Sequence, residues 1–255
     1  MNHDYYYNLA RRKNDWSQGD LSWALRFIED EFCGRKATVL EIGCGAAELL
    51  EHLKIDMSYT GLDPSESVID IDKQRFPTQA FVVGFAENLP FPDNSFDLIF
   101  SAQTLQSFSQ PKRSLLEMKR VLKPRGKVIL IAPNLENPWS HIPATRLYNG
   151  FEKIQLFLLR TCDLFRRLVG NLPFRILNKN VVSTTGLFEK GDDDARYIVS
   201  SYDVATYTQR IGMKLVFYKP HTFKKSMRGL IRRMLVKMPI FRYYQGGMAF
   251  VFQKP

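Results

Sequence analysis

Cysteine is scarce in this chain. The 3 cysteines, Cys33, Cys44 and Cys162, have no metal-like spacing and cannot all pair. That excludes a disulfide-built scaffold, fits a reducing compartment and gives no reason to expect a metal. No window approaches the roughly 18 continuous apolar residues of a spanning helix. The opening MNHDYYYNLARRKNDW lacks the apolar centre of a secretory signal. Internal repeats and low-complexity tracts are absent too. The expectation is a cytoplasmic protein with reduced thiols.

What is present can fill a sizeable core, since 45% of the 255 residues are hydrophobic. The length suits one large domain or two small ones at ~150 residues each. Charge is unevenly spread. Residues 1–137 hold 16 Lys/Arg against 19 Asp/Glu, a balance of −3, whereas residues 138–255 hold 20 against 7, a balance of +13. Positive potential confined to the second half points to an anionic partner: a membrane surface, nucleic acid or a phosphorylated substrate.

Between residues 38 and 133, short apolar β-rich runs alternate with helical patterns. The runs are Thr38–Ile42, Tyr59–Leu62, Ala80–Val83, Phe96–Phe100 and Lys127–Ile131, and the helices Ala46–Lys54, Ser65–Arg75 and Pro111–Leu122. Such alternation predicts right-handed crossovers and a parallel sheet covered on both faces. Ligands of these sheets bind at the carboxyl ends of the strands. The first such end reads TVLEIGCGAAELLEHL. Gly43 and Gly45 supply a tight turn that a ligand can approach closely, with free helix amides expected to face it. A dinucleotide site would continue G-x-G-x-x-G around a pyrophosphate. Here the turn reads G-C-G-A-A-E, and Glu41 would repel a pyrophosphate while welcoming a cation. Asp63, about twenty residues on, stands where an acid accepts hydrogen bonds from ribose hydroxyls. It or Ser65 is also placed to cap the next helix. Ribose with a cation and no phosphate describes S-adenosylmethionine.

At this point the sequence resembles the class I S-adenosylmethionine-dependent methyltransferases, in the type 11 group similar to the ubiquinone/menaquinone-biosynthesis C-methyltransferases. The resemblance rests on VLEIGCGAAELL, GLDPSESVI, GFAENLPFPDNSFDLIFS, RSLLEMKRVLKPRGKVILIAPN and, loosely, SYDVATYTQRIGMKLVFYKP, in that order. It implies an α/β, Rossmann-like, doubly wound sheet of seven strands. Their order would be 3-2-1-4-5-7-6, with an antiparallel last strand that GGMAFVFQK fits. It also implies a single methyltransferase domain over 1–255. Its parts are an N-terminal helical or lid segment (1–37), a cofactor-binding core (38–134), a helical cap insertion (135–200) and a C-terminal part of the sheet (201–255).

The implied cofactor is S-adenosyl-L-methionine, leaving S-adenosyl-L-homocysteine as product. Glu41, Gly43, Cys44 and Gly45 would line its methionine end, Asp63 and Pro64 its ribose, Ala86 and Glu87 its adenine, and Ser101 and Gln103 its sulfonium. Three positions depart from the family pattern: Ala47 replaces a common third glycine, Phe85 replaces an adenine-binding Asp, and Gln106-Ser107 stand where many relatives read His-His. Phe85 would then hold adenine by stacking. No catalytic residue is assigned beyond a weak candidate base, His141. Tyr5, Tyr6 and Tyr7 are read as packing or lid residues, and Asp192–Asp194 as a hydrated loop.

Two inserts carry the positive charge. Residues 151–169 place Phe151, Ile154, Leu158, Cys162, Phe165 and Val169 at helical spacing, with Leu156, Leu159 and Leu168 widening the face. Residues 224–238 alternate Met227, Leu230, Ile231, Met234, Leu235 and Met238 with six cations, including Arg232 and Arg233. A basic amphipathic helix of that kind reads as an interfacial membrane binder, unless its apolar stripe packs within the chain. The expected acceptor is thus a small or lipid-linked molecule at a membrane surface, with the protein peripheral to the inner face. The alternatives are an RNA-directed methyltransferase, for which SAQT, at the end of the fourth apolar run, lacks an Asn/Asp-Pro-Pro-Tyr-like motif, and a non-catalytic cofactor-binding scaffold or regulator. A nicotinamide-dependent oxidoreductase is disfavoured by Glu41 and the missing third glycine.

Overall fold

The structure is a computed structural model that describes residues 19–133, 150–176, 197–220 and 247–255. In chain order the elements begin with α1 (Gly19–Glu31), β1 (Ala37–Ile42), α2 (Glu48–His52), β2 (Met57–Asp63) and α3 (Glu66–Arg75). After these come β3 (Ala80–Val83), β4 (Phe96–Ala102), a short 3-10 turn (Leu105–Ser107), α4 (Pro111–Val121) and β5 (Leu122–Pro133). The chain continues with α5 (Gly150–Leu168), α6 (Ser201–Arg210), β6 (Lys214–Pro220) and β7 (Gly247–Gln253).

The seven strands form one sheet in the order β3-β2-β1-β4-β5-β7-β6. β1 to β5 run parallel, and β7 lies antiparallel between β5 and β6. This is the expected architecture. Period-two alternation sorts the strand residues into two cores. Leu40, Ile42, Ile99, Val128, Leu130, Phe250 and Phe252 face one way, onto Leu115, Met118 and Val121 of α4 and Val204 and Ala205 of α6. Val39, Tyr59, Leu98, Phe100, Ile129, Ile131 and Val251 face the other, onto Leu21, Ala24 and Ile28 of α1 and Ile69 of α3. Glu41 is two residues beyond Val39, so it emerges on the second face beside Tyr59. All the carboxyl ends of β1, β2 and β4 lie at one edge, with Glu41 in register with Gly61 on one side and Phe100 on the other.

Some boundaries move, as where β5, expected over Lys127–Ile131, runs from Leu122 to Pro133. The helix expected over Ala46–Lys54 shrinks to α2, because Gly43, Gly45 and Ala47 all take positive φ (71°, 52° and 50°) and hold the chain out of helix until Glu48. On α4, Leu115, Met118 and Val121 are buried, whereas Leu116 is exposed.

Candidate cofactor site

The turn after β1 is tied down by the protein itself. The Gly43 and Cys44 amides both donate to the Leu62 carbonyl, at 2.7 and 3.1 Å, and the Ala47 amide donates to that of Cys44 at 2.8 Å. The Gly45 amide donates to Asp63 Oδ2 at 3.1 Å. Most of the amides expected to be free for a ligand are therefore spent on the turn's own geometry. The need for glycine at 43 also has a protein-side reason. A Cβ there would lie 2.2 Å from Thr104 Cγ2, a distance no side chain tolerates. Thr104, which the sequence did not single out, donates a hydroxyl hydrogen bond to the Ile42 carbonyl at 3.3 Å and sits 2.6 Å from Ser101 Oγ. Together they lock the end of β4 against the glycine turn.

Asp63 has two structural bonds, accepting from Gly45 and, through Oδ1, from the Ser65 amide at 3.0 Å. It thus joins the glycine turn to the start of α3, and Ser65 makes no side-chain cap there. Pro64 is exposed between them. Glu41 accepts a 2.5 Å hydrogen bond from the Tyr59 hydroxyl. With Glu48 and Asp72 these acids are all buried. Burial pushes Glu41 up to about 8, despite the Tyr59 bond, and Asp72 up to about 7; it also raises Asp63. Cys44, buried among them, has its thiol pushed up by burial and by Asp63 and Glu41. Arg75 is the cation seen close by, pairing with Asp72 and Glu51 and donating to the Ala46 carbonyl at 2.9 Å. Two acids at the strand ends, Glu41 and Asp63, and two on the helices packed beside them, Glu48 and Asp72, form a buried acidic cluster in which burial favours the protonated form of Glu41, Asp63 and Asp72 until a cation arrives. The donor set fits a small ligand carrying a sulfonium and an ammonium and does not fit a pyrophosphate.

The loop after β3 forms the adjoining wall. Ala86 is buried, while Phe85 is 64% exposed, so its ring is free to meet a flat ligand beside Ala86. Glu87 turns toward α4: its Oε1 accepts from the Ser109 amide (2.8 Å), the Ser109 hydroxyl (3.0 Å) and the Gln110 amide (3.1 Å). Its role in this structure is to hold the loop against the N-terminus of α4. Arg120 clamps the same loop by bonds to the Leu89 and Phe91 carbonyls and to Asp93 and Glu117. After β4, Ser101 is buried and Gln103 is exposed with φ 57°, a left-handed conformation its side chain makes costly. Gln106 is buried, its Nε2 donating to the Gln103 carbonyl at 2.6 Å and its Oε1 left without a hydrogen-bond partner.

Glu41, the glycine turn, Asp63, Phe85, Ala86, Ser101 and Gln103 thus share one edge of the sheet. Tyr59 and Thr104 are additions that strand register and loop packing supply. His141, Tyr5–Tyr7, Asp192–Asp194 and the segment 224–238 lie outside the described residues. His52 is bonded to the Glu48 carbonyl within α2. A concavity of about 570 Å³ is an open groove lined by residues between Glu29 and Asp56 at the amino ends of β1 and β2, away from this edge.

This strand order, with buried acids beside a G-C-G-A-A-E turn at the carboxyl edge, defines a class I S-adenosylmethionine-dependent methyltransferase. Comparison with known proteins agrees. Residues 40–130 match the family model described as a methyltransferase domain. The chain is 34% identical to the demethylmenaquinone methyltransferase of Thermotoga maritima over 176 residues, covering 64% of this chain and 70% of that one. It is 41% identical to the phthiotriol/phenolphthiotriol dimycocerosates methyltransferase of Mycobacterium tuberculosis over 93 residues, which span only 34% of either chain. Among solved structures it is similar to an S-adenosylmethionine-dependent methyltransferase from Mesorhizobium loti (TM-score 0.57, 16% identity, covering 94% of this chain and 100% of that one). It is also similar to the [4+2]-cyclase SpnF (TM-score 0.55, 16% identity, covering 95% and 85%). The chain belongs to this methyltransferase-domain family and is an S-adenosylmethionine-dependent methyltransferase.

Proposed function

We propose that the acceptor is a quinone-like or lipid-linked molecule met at a membrane surface, with the protein peripheral to the cytoplasmic face. The observation that carries this reading is the likeness to a demethylmenaquinone methyltransferase over 70% of that protein's length. The shorter likeness to a methyltransferase named for phthiotriol dimycocerosates points to the same acceptor class. Glu41 and the glycine turn hold the methionine end of the cofactor. Asp63 takes the ribose hydroxyls with the lone pairs its two amide bonds leave, and Phe85 stacks on adenine beside Ala86. When bound, the cofactor supplies an electrophilic methyl group; the chain's task is to hold the acceptor in line and exclude water. Ser101 and Gln103, fixed by Thr104 and Gln106, border the reacting end. His141 remains the weak candidate for a base.

The test is methyl transfer from labelled S-adenosylmethionine to demethylmenaquinone, a long-chain diol lipid and total RNA, each offered separately. Label in either lipid fraction is the expected result. Label in RNA alone overturns the acceptor reading.

A further inference from the structure

Helix α5 is built inside out. Its buried residues are Leu156, Arg160, Asp163 and Arg167, whereas Phe151, Ile154, Leu158, Leu159, Phe165 and Val169 are exposed. Phe151 is 68% exposed, Phe165 65% and Val169, just past the helix, 83%. Burying an arginine while leaving phenylalanines in water reverses the usual preference, and ion pairs fix the reversal. Arg167 bonds Asp203 of α6 at 2.7 and 3.1 Å, and Arg175 bonds Asp163 at 2.5 and 2.7 Å. The helix cannot roll its apolar face inward without breaking both.

We infer that this face of α5 docks the protein on an anionic lipid bilayer, an inference that rests on the lipid-type acceptor proposed above. Residues 151, 154, 158, 162, 165 and 169 form one stripe along a 19-residue helix about 28 Å long. Its occupant is indicated by charge. Lys153 and Arg166 are the exposed ionic side chains of α5, Arg166 lying 3.4 Å from Asp163; of the helix's two acids Asp163 is buried and Glu152 half-buried, and residues 138–255 carry 20 Lys/Arg against 7 Asp/Glu. An apolar stripe with cationic flanks suits acyl chains below and anionic headgroups beside it. No described helix is long and apolar enough to cross a membrane, so the contact is with the surface.

The fold also connects this face to the reacting edge. Arg167 and the Phe174 amide both reach Asp203, the Phe174 ring stacks on Tyr197, and the Tyr197 amide donates to the Gln106 carbonyl at 2.8 Å. A bilayer against α5 therefore lies in fixed orientation to the end of β4.

The test is flotation of the full chain with vesicles of equal parts phosphatidylglycerol and phosphatidylcholine, and with phosphatidylcholine alone. Wild type is expected to float with the anionic vesicles and to be released by about 0.5 M salt. Leu158→Asp with Phe165→Asp should reduce partitioning by roughly tenfold or more per side chain. Arg166→Gln should reduce it about fivefold. All these variants should keep the wild-type melting temperature and affinity for S-adenosylmethionine. Three results overturn the inference: the double variant floats like wild type; it melts far lower, showing that the chain itself covers the face; or wild type is a dimer that the variant splits, and neither floats. Flotation without methylation of any lipid acceptor overturns only the acceptor reading, and methylation of detergent-dispersed acceptor without flotation overturns only the docking.

Discussion

Glu41 and Asp203 are both acids with almost no solvent exposure, and the protein surrounds them in opposite ways. Around Glu41 stand Tyr59, Glu48, Asp63 and Asp72, and the result is a carboxyl pushed up to about 8, mainly by burial. Around Asp203 stand Arg167, with two bonds, and the Phe174 amide. Burial still raises Asp203, and Arg167 pulls it back. One region is a fold element whose charges answer each other. The other gathers acids that burial pushes toward the protonated form, a place that a cationic ligand would ionise and complete. Buried acids alone therefore do not mark a site; buried acids held toward neutrality beside one another do.

The comparison breaks most visibly at Asp203. Asp203→Asn removes the bidentate partner of a buried guanidinium, which costs about 3–5 kcal/mol and lowers the melting temperature by on the order of 10 °C. Calorimetric or fluorescence melting of the variant checks it. Replacing both partners at once, as Arg167→Met with Asp203→Leu, should recover much of the loss, because the charge left alone is what costs.

Glu41→Gln should do the reverse: little to stability, much to binding. At neutral pH the free protein holds Glu41 protonated, and glutamine copies that state, so melting near pH 7 stays within a few degrees. Affinity for S-adenosylmethionine should fall by about 1.5–3 kcal/mol, since the charge-assisted contact is gone. The pH dependence carries the same sign argument. Glu41 ordinarily titrates at 4.5 and in the fold at about 8, and Asp72 moves from 3.8 to about 7. The folded chain thus holds protons that the unfolded chain releases. The associated stability is full below the ordinary carboxylate values and is lost as pH rises through 7 and 8. Cofactor-free protein should melt progressively lower from pH 5 to 8, less steeply in Glu41→Gln. Wild-type affinity for the cation should rise over the last units before pH 8, approaching tenfold per unit. A flat affinity profile would show that Glu41 does not meet the cation.

Strand periodicity, the glycine turn and the acids at strand ends were legible because each is local: alternation sets the faces, and Glu41 and Asp63 lie one and zero residues from the ends of β1 and β2. What could not be read depends on contacts between distant segments. Thr104 decides residue 43 from 61 positions away, and Glu87 is claimed by Ser109 and Gln110. The apolar stripe of α5 was visible, but periodicity shows only that a face exists. The pairs Arg167–Asp203 and Arg175–Asp163 determine that it points outward and that Leu156 belongs to the opposite side.

Phe85 sharpens the site from its apolar side. Because its ring is largely exposed, Phe85→Ala should change stability by less than about 0.5 kcal/mol. If adenine stacks on it, the same change weakens S-adenosylmethionine by about 1–3 kcal/mol in calorimetric titration. Unchanged affinity would move the adenine off this wall.

The smallest effect is expected at Ala47, where the absence of a third glycine meets the backbone. Ala47 sits at φ 50°, ψ 37° directly before α2 and makes no side-chain cap. A left-handed alanine costs about 1–2 kcal/mol, a penalty glycine escapes. Glycine in turn loses more conformational freedom on folding, by roughly 0.5–1 kcal/mol. The residue is also buried, so the methyl's packing is forfeited. Ala47→Gly should therefore stabilise by no more than about 1 kcal/mol, a shift of a few degrees. Its effect on cofactor affinity separates two uses of the strain. If the methyl merely fills space beside Leu49, affinity is unchanged; if the left-handed turn is held ready for the ligand by Asp63 and Gly45, loosening it weakens binding while the protein as a whole melts higher.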